Sequence, residues 1–342
     1  MRKLTEIVGP LVLIALIGVL GSFASPARAL EFEDALLAVA FVVALYVFVG
    51  NSGVLSFGQV SFAAVGAFAA GVMSAPVDSK TGQLPDLFPF LADHAIGNVP
   101  SLVLATGLGG LYALLVGMPL MRLSGLAAGI ATFAVLGITH NVLRYWTEIG
   151  PGAGTLASVP ESTGLVQACV GAMIVAGAAF AYQSSRFGRL LRASREDAPA
   201  AHAVGINVHR ERLWAFVLSG ALSGFAGGLF VHETGTLTTE QVYLDLTFLT
   251  LAMLVIGGAY SLWGAVVGAL LVSGVNSFLG DAENGIDVGV RIDVPAGTRV
   301  IALGAVMTLT LLLRPTGVTG GREFSLGWLG RLRPKREGDT AA

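Results

Sequence analysis

The residues of this sequence that could do chemistry are concentrated in one polar segment, residues 183–212. The segment carries six arginines: Arg186, Arg189, Arg192, Arg195, Arg210 and Arg212. Asp197 can cap a helix that has Pro199 in its first turn, and Gly205, followed by Asn207, fits a C-terminal stop. We therefore predict a short helix over residues 198–204 that is the right size to dock into a cleft on a partner protein. The alternative is a positively charged loop that only fixes the orientation of its neighbours.

Two enzymatic chemistries are disfavoured. A phosphate-binding loop of the G-x-x-x-x-G-K-[ST] type needs a lysine directly after a glycine. The chain has only Lys3, Lys80 and Lys335, and none of them follows a glycine. The pair His232-Glu233 does not extend to an H-E-x-x-H zinc site. We expect no enzyme activity, no metal and no cofactor on this chain, so any ATP and Mg²⁺ would be used by another polypeptide.

A few uncharged polar residues within apolar surroundings could contact a small solute. A zwitterionic solute crossing lipid needs hydrogen bonds that replace water around its ammonium and carboxylate groups. Ordinary hydrogen bonds between helices are the alternative for each residue. The candidates for this translocation path are Ser56, Gln59, Ser61, Thr132 and Asn276.

The elements that position these groups are apolar helices. Hydrophobic residues make up 54% of the 342 residues and charged residues only 12%, about half the charged share of an ordinary soluble domain. Runs of about 20 apolar residues predict membrane helices. We predict an all-α bundle of about ten spans: one between Glu6 and Arg28, two between Asp34 and Asp78 with a turn near 51–56, then 98–120, 124–143, 164–182 and 213–232, two between Asp245 and Asp281 split near 257–262, and 297–313.

The distribution of arginines sets the expected orientation. Lysine and arginine favour cytoplasmic loops, so loop 183–212 and the basic end of the chain are expected inside the cell. This places both termini in the cytoplasm, with a transmembrane domain over residues 1–317 and a basic, flexible tail over 318–342. A cleaved signal peptide is the alternative for the first apolar run, because Ala27-Arg28-Ala29 fits a cleavage site. No span has a charged residue at its centre, which disfavours an ion-coupled carrier.

Small residues recur at a spacing that favours close helix packing. Glycines four residues apart form a smooth stripe on one helix face. The predicted stripes contain Gly220, Gly224 and Gly228 in one helix and Gly264 and Gly268 in another. A sliding surface between two transport states is the functional alternative to plain packing. Residues 45–67 and 254–270 share an apolar helix, a glycine-bearing turn and a second helix, as in duplicated transporter halves.

Four segments together resemble one family of membrane proteins. They are the loop Phe187-Gly-Arg-Leu-Leu-Arg-Ala-Ser-Arg-Glu-Asp-Ala198 with Gly205-Ile-Asn-Val208, Asn51-Ser-Gly-Val-Leu-Ser-Phe-Gly-Gln-Val-Ser-Phe62, Leu218-Ser-Gly-Ala-Leu-Ser-Gly-Phe-Ala-Gly-Gly-Leu229 and Val255-Ile-Gly-Gly-Ala-Tyr-Ser-Leu-Trp-Gly-Ala-Val-Val-Gly268. The sequence is similar to LivM-type permeases of branched-chain amino acid ABC importers over residues 35–315. His202 and the stretch 150–156 depart from the family pattern.

The resemblance implies a multi-pass permease of the bacterial inner membrane. It implies three kinds of protein partner: a second, related permease in a heterodimer, two ABC ATPase subunits and an extracytoplasmic solute-binding protein. The chain would also contact the membrane, and no nucleic acid is expected to bind. The residues expected to couple to the ATPase are Arg192, Arg195, Glu196, Asp197, Ala201, Gly205 and Asn207. Urea or short amides are alternative solutes, and an ion-coupled carrier is the alternative mechanism.

Overall fold

The computed structural model describes residues 4–283, 286–287, 291–292, 298–314 and 316–323. These residues are almost entirely helical. The helices are α1 (Leu4–Ser22), α2 (Pro26–Ser52), α3 (Gln59–Ser74), α4 (Val77–Gln83), α5 (Pro89–Asp93), α6 (Asn98–Leu120), α7 (Gly125–Tyr145), α8 (Leu165–Ser184), α9 (Arg186–Glu196), α10 (Ala198–Ala203), α11 (Val208–Thr234), α12 (Leu244–Gly257), α13 (Leu262–Glu283) and α14 (Thr298–Leu313). Two short strands, β1 (Ile286–Asp287) and β2 (Arg291–Ile292), pair antiparallel.

Several of these helices can cross a membrane. In the described residues, six are long and apolar enough, and a seventh crossing is possible if α3 and α4, which meet at a bend of 113°, count as one span. Each of the ten predicted apolar runs is occupied by a helix. The all-α, multi-pass prediction is therefore confirmed, whereas ten full crossings are not established. The shortest of the ten, α12, is only about 21 Å long against a hydrocarbon core of about 30 Å.

Helix α11 is the centre of the bundle and packs against α2, α3 and α6. Its glycines allow this close approach: a Cβ atom at Gly224 would contact the Ala105 carbonyl oxygen of α6, and one at Gly228 would lie 2.9 Å from Leu102. The Ser219 hydroxyl donates to the Ala44 carbonyl oxygen of α2 at 2.7 Å. The predicted packing stripe therefore lies against neighbouring helices, as small-residue stripes in membranes do.

Two helix pairs are interrupted by short non-helical breaks at the same end of the bundle. Residues 53–58 separate α2 from α3, and residues 258–261 separate α12 from α13. Both were predicted as turns. Gly53 (φ +70°) and Gly258 (φ +123°) adopt backbone conformations that only glycine takes readily. The end of α2, just before the first break, reaches the second break, since a Cβ at Gly50 would lie 2.7 Å from the carbonyl oxygen of Ala259.

Residues 316–323 fold back onto the second break. The Val318 amide donates to the Ile256 carbonyl oxygen at 2.8 Å, and the Thr319 amide donates to that of Gly257 at 3.2 Å. The expected boundary between bundle and tail at residue 317 therefore needs correction, because the chain stays packed as far as Glu323. The reason is that the carbonyl groups at the end of α12 need donors once the helix stops. The rest of the expected tail, 324–342, lies outside the described residues.

The opposite end of the bundle carries a small cap made of α4, α5 and the loop that follows α7. The Lys80 side chain is buried, and its ammonium group donates to the carbonyl oxygens of Leu91 (2.9 Å) and His94 (2.6 Å). Leu156 pairs with Leu237 through two backbone hydrogen bonds of 2.8 Å. Lys80 thus holds α4 to α5, and the Leu156–Leu237 pair joins the loop after α7 to the loop after α11.

Candidate functional site: the α9–α10 loop and the two helix breaks

The candidate site lies at the end of the bundle where α9, which carries α10 after it, contacts the two breaks through Arg195. Ser185 caps the start of α9, because its hydroxyl oxygen accepts a hydrogen bond from the Gly188 amide at 3.3 Å. Leu191 and Ser194 are buried, while Arg186 and Arg189 are exposed. The sequence predicted coupling residues in this stretch but no helix over residues 186–196. The stretch is instead an amphipathic helix that rests on the bundle, with contacts to α2, α8 and α11.

Helix α10 confirms the predicted short helix, with bounds one residue shorter than expected. The Asp197 carboxylate accepts a hydrogen bond from the Ala200 amide at 2.9 Å, as a helix cap does. Gly205 has φ +84° and ends the turn, as predicted. Ala201 is buried and anchors the helix, whereas Val204 is 77% exposed. The loop therefore presents a small, partly apolar surface, centred on Val204, to its surroundings.

Asn207 has a different role from the predicted one. The sequence interpretation paired it with Gly205 as part of the stop of the short helix. Its side-chain oxygen instead accepts a hydrogen bond from the Arg210 amide at 3.1 Å, so Asn207 caps the start of α11. The physical reason is that the first amides of α11 lack partners within the helix and asparagine is a preferred cap.

The charged residues expected to couple to a partner divide into two groups. Glu196 is exposed and receives two hydrogen bonds, at 2.9 and 3.1 Å, from its neighbour Arg195. Arg192 and Arg195 turn inward: Arg192 donates to the carbonyl oxygen of Gln183 at 2.7 Å, and Arg195 donates to that of Gly50 at 3.0 Å. The exposed groups are therefore available to a partner, while these two guanidinium groups already have partners within the chain.

Four of the five path candidates come together at the first break. The Thr132 hydroxyl of α7 accepts from the Phe57 amide at 3.2 Å and donates to the Gly129 carbonyl oxygen at 2.8 Å. Ser56 and Ser61 are buried and bond within the turn around Gly58. The Thr132 bond to Phe57 joins α7 to the break and is close to the interhelical bonding that was the alternative to solute contact, whereas Ser56 and Ser61 bond only within the turn.

Gln59 is the exception within this cluster. Its side chain is buried, and neither its amide nitrogen nor its amide oxygen has a hydrogen-bond partner within the described part of the chain. It faces a small cavity that is also lined by Ser223 and Thr250. Because buried polar atoms without partners are costly, this amide is the group of the cluster that is free to bind a water or a solute.

Asn276 does not belong to the cluster. It lies about 21 Å along α13 from the first residue of that helix, towards the opposite end of the bundle. It is partly exposed, and no hydrogen bond joins it to the other four candidates among the residues that the structure describes. The structure thus brings together the candidates around the first break and leaves Asn276 apart.

The Glu323 cap of α13 was missed from the sequence. The Glu323 carboxylate accepts hydrogen bonds from the amides of Leu262 (3.0 Å) and Trp263 (3.2 Å), which caps the start of α13. Burial raises the pKa of Glu323, although these two hydrogen bonds act in the opposite direction. The glycine-rich stretch around Gly317 was an available signal, because a Cβ there would lie 2.5 Å from the Gly258 Cα.

The packing glycines predicted for the second hairpin also lie at this site. A Cβ at Gly264 would sit 2.7 Å from the Ser261 hydroxyl oxygen, and one at Gly268 would sit 2.6 Å from the Gly257 Cα. The second break is therefore a tight contact of backbone against backbone. Any larger residue here would push α12 and α13 apart.

Comparisons with known proteins identify relatives of this chain by sequence. The chain is 25% identical to a probable branched-chain amino acid transport permease protein LivH of Methanocaldococcus jannaschii, over 79% of this chain and 84% of that protein. It is 24% identical to the high-affinity branched-chain amino acid transport system permease protein LivM of Escherichia coli K12, over 80% of this chain. The match spans 65% of the LivM length.

A third relative has a different printed substrate. The autoinducer 2 import system permease protein LsrC of Shigella flexneri is 26% identical over 59% of this chain and 62% of its own length. No solved structure matches the chain. The family model described as branched-chain amino acid transport system / permease component matches residues 33–311, which include both breaks and the α9–α10 loop. The chain therefore belongs to this family of multi-pass permeases of the inner membrane.

Proposed function

We propose that this chain is a translocating subunit of an ATP-driven importer for branched-chain amino acids. It would pair with a second, related permease, take its solute from an extracytoplasmic binding protein and be driven by two separate ATPase subunits that use ATP and Mg²⁺. The chain itself would not hydrolyse ATP. The observation that carries the proposal is the α9–α10 loop, which rests on the bundle through buried residues and presents an exposed surface.

The exposed surface of this loop suits a protein partner. Val204 is 77% exposed, and the side chain of Glu196 is 74% exposed. An apolar contact with charges at its rim is the usual composition of a specific protein interface. Because Asp197 and Gly205 fix both ends of α10, the loop would enter a partner cleft without first having to order its own backbone.

The polar cluster at the first break supports a small neutral or zwitterionic solute. Its candidate groups are hydroxyl and amide groups, with no charged side chain among them: Ser56, Gln59, Ser61 and Thr132. Such groups could exchange hydrogen bonds with an ammonium and a carboxylate without holding either one tightly. The printed names of LivH and LivM favour branched-chain amino acids, while that of LsrC shows that relatives differ in solute.

We further propose that all ten apolar helices insert in the membrane and that both termini face the cytoplasm. Loop 183–212 would then share the cytoplasmic side with the basic end of the chain, as arginine placement favours. Single cysteines introduced at Val204 and at His94 into a Cys169→Ala chain test this. A membrane-impermeant maleimide added to intact cells should label position 94 and not position 204. Labelling of position 204 from outside would refute the orientation.

A matched pair of variants at Val204 tests the docking proposal. Val204→Asp places a charge on the exposed apolar surface at Val204. It should reduce the amount of co-purifying ATPase at least about tenfold, because an unpaired charge would be desolvated at the contact. Val204→Ile keeps the apolar surface and should behave as the wild type. Both variants should reach the membrane equally, since the side chain contributes little to the bundle. Normal ATPase association of Val204→Asp would show that α10 does not dock.

The requirement for ATP separates the importer from a carrier. Leucine uptake into vesicles that contain the complete complex should need ATP and the loaded binding protein. Uptake that is driven by a proton or sodium gradient in the absence of ATP would instead establish an ion-coupled carrier. Competition by isoleucine and valine, with no competition by urea or acetamide, would identify the solute class.

A further inference from the structure

Arg195 occupies the junction between three parts of the molecule. Its guanidinium group belongs to α9, donates to the Gly50 carbonyl oxygen at 3.0 Å and stacks 4.5 Å from the ring centre of Tyr260. Gly50 lies in the last turn of α2, and Tyr260 lies in the break between α12 and α13. One side chain of the loop therefore contacts both interrupted helix pairs.

The surroundings of Arg195 are built to accept this side chain. A Cβ at Gly53 would lie 2.5 Å from the Arg195 Cγ and 2.8 Å from its Cδ. The absence of a side chain at Gly53 therefore provides the space that the Arg195 side chain occupies. The Arg195 side chain is 24% exposed, far less than that of Glu196 beside it. The Gly50 carbonyl oxygen lies in the last turn of α2, where carbonyl groups lack an amide donor from the helix itself, and Arg195 supplies the donor. These features distinguish Arg195 from arginines that only face solvent.

The last turn of α2, just before the first break, also contacts the second break. A Cβ at Gly50 would lie 2.7 Å from the Ala259 carbonyl oxygen, so the end of α2 and the second break are in backbone contact. Arg195 covers this contact from the side of α9. Arg192 adds a second link from the same helix, since it donates to Gln183, whose side chain accepts a hydrogen bond from Tyr46 of α2 at 2.6 Å.

We propose that Arg195 is a positioning residue that links the α9–α10 loop to both helix breaks, so that a displacement of the loop moves the two breaks together. This rests on the proposed function and deepens it. The sequence interpretation placed Arg195 among the residues that contact the ATPase. In this proposal the exposed residues of α10 contact the ATPase, and Arg195 passes the movement inward. A planar guanidinium group suits this task because it can donate and stack at the same time.

The test uses variants on both sides of the stacked pair. Arg195→Gln removes the charge and the planar cation, and Arg195→Lys keeps the charge and one donor but loses the stacking geometry. Tyr260→Leu removes the ring, whereas Tyr260→Phe keeps it. Arg186→Gln serves as the matched control, because Arg186 is exposed at the first position of the same helix. Tyr260 is half exposed, so its variants remain informative even if Arg195→Gln folds poorly.

Three quantities are measured on the reconstituted complex with its ATPases and loaded binding protein: ATPase co-purification, the stimulation of ATP hydrolysis by the binding protein, and leucine uptake per ATP hydrolysed. Arg195→Gln should assemble within about twofold of the wild type but lose about tenfold in uptake per ATP. Tyr260→Leu should show a smaller loss in the same quantity, Arg195→Lys an intermediate loss, and Tyr260→Phe and Arg186→Gln none.

Two results would overturn the proposal. One is wild-type uptake per ATP in Arg195→Gln and Tyr260→Leu. The other is a loss of ATPase co-purification in Arg195→Gln that accounts for the whole loss of uptake, since Arg195 would then act at the partner interface. Failure of the proposed function looks different, because wild-type uptake would then not depend on ATP.

Discussion

Replacement of Gly224 by alanine should loosen the centre of the bundle. The new Cβ would contact the Ala105 carbonyl oxygen and lie 3.1 Å from the Gly109 Cα, where ordinary contact begins at 3.4 Å. Both neighbours are backbone atoms, so no side-chain rotation can relieve the contact and α6 must move away from α11. Overpacking of this kind costs about 1–3 kcal/mol, while the higher helix propensity of alanine returns at most about 1 kcal/mol. We expect a net loss of about 1–2 kcal/mol.

The measurement is the free energy of unfolding in mixed micelles, followed by tryptophan fluorescence. Gly107→Ala is the matched control, because no atom lies within 4 Å of a Cβ at that position of α6, so it should be neutral or slightly stabilising. Gly228→Ala should fall between the two, since its nearest atom is the flexible end of Leu102. Equal unfolding free energies for Gly224→Ala and Gly107→Ala, to within roughly 0.5 kcal/mol, would refute the argument that these helices meet through backbone atoms.

Three further predictions concern polar contacts. His232→Ala removes the 2.8 Å contact with the Ser101 hydroxyl and should lower the free energy of unfolding by about 1–3 kcal/mol in the same assay. Lys80→Met leaves two carbonyl oxygens of the cap without their donor, so limited proteolysis should cleave residues 84–97 faster than in the wild type. Burial raises the pKa of Glu323 above its usual value of 4.5, so the folded state favours the protonated carboxyl group and this contribution is lost as pH rises through the raised value. The melting temperature of the wild type relative to Glu323→Gln should therefore increase as pH falls from 8 towards 5, and a difference that stays constant with pH would contradict the assignment.

The positions of the helices could be predicted from the sequence because lipid leaves the backbone few options. The apolar run at residues 98–120 coincides with α6, and the glycine-bearing turns near residues 53 and 258 mark real breaks. The short helix α10 was equally accessible, because Asp197, Pro199 and Gly205 are local signals that act within one helical turn. Local chemistry thus determines where each element begins and ends.

The partners of the polar side chains could not be predicted in the same way. Arg195 and Gly50 are 145 residues apart in the chain, and the Glu323 carboxylate reaches α13 across 61 residues. Such contacts depend on how the finished helices are arranged, which no periodicity reveals. For the same reason Thr132 and Gln59 looked alike in the sequence, although one is fully bonded and the other is without a partner in the described structure. Asn207 was misread because a stop and a cap favour the same residue type.

The return of residues 316–323 to the second break has a consequence for the order of biosynthesis. Ribosomes release a chain from its N-terminal end, so earlier elements can settle before later ones exist. The amides of Leu262 and Trp263 obtain their carboxylate from Glu323, which lies 61 and 60 residues further along the chain. Until Glu323 has been made, water or other groups have to satisfy these two amides, so the start of α13 reaches its final capped structure only late in synthesis.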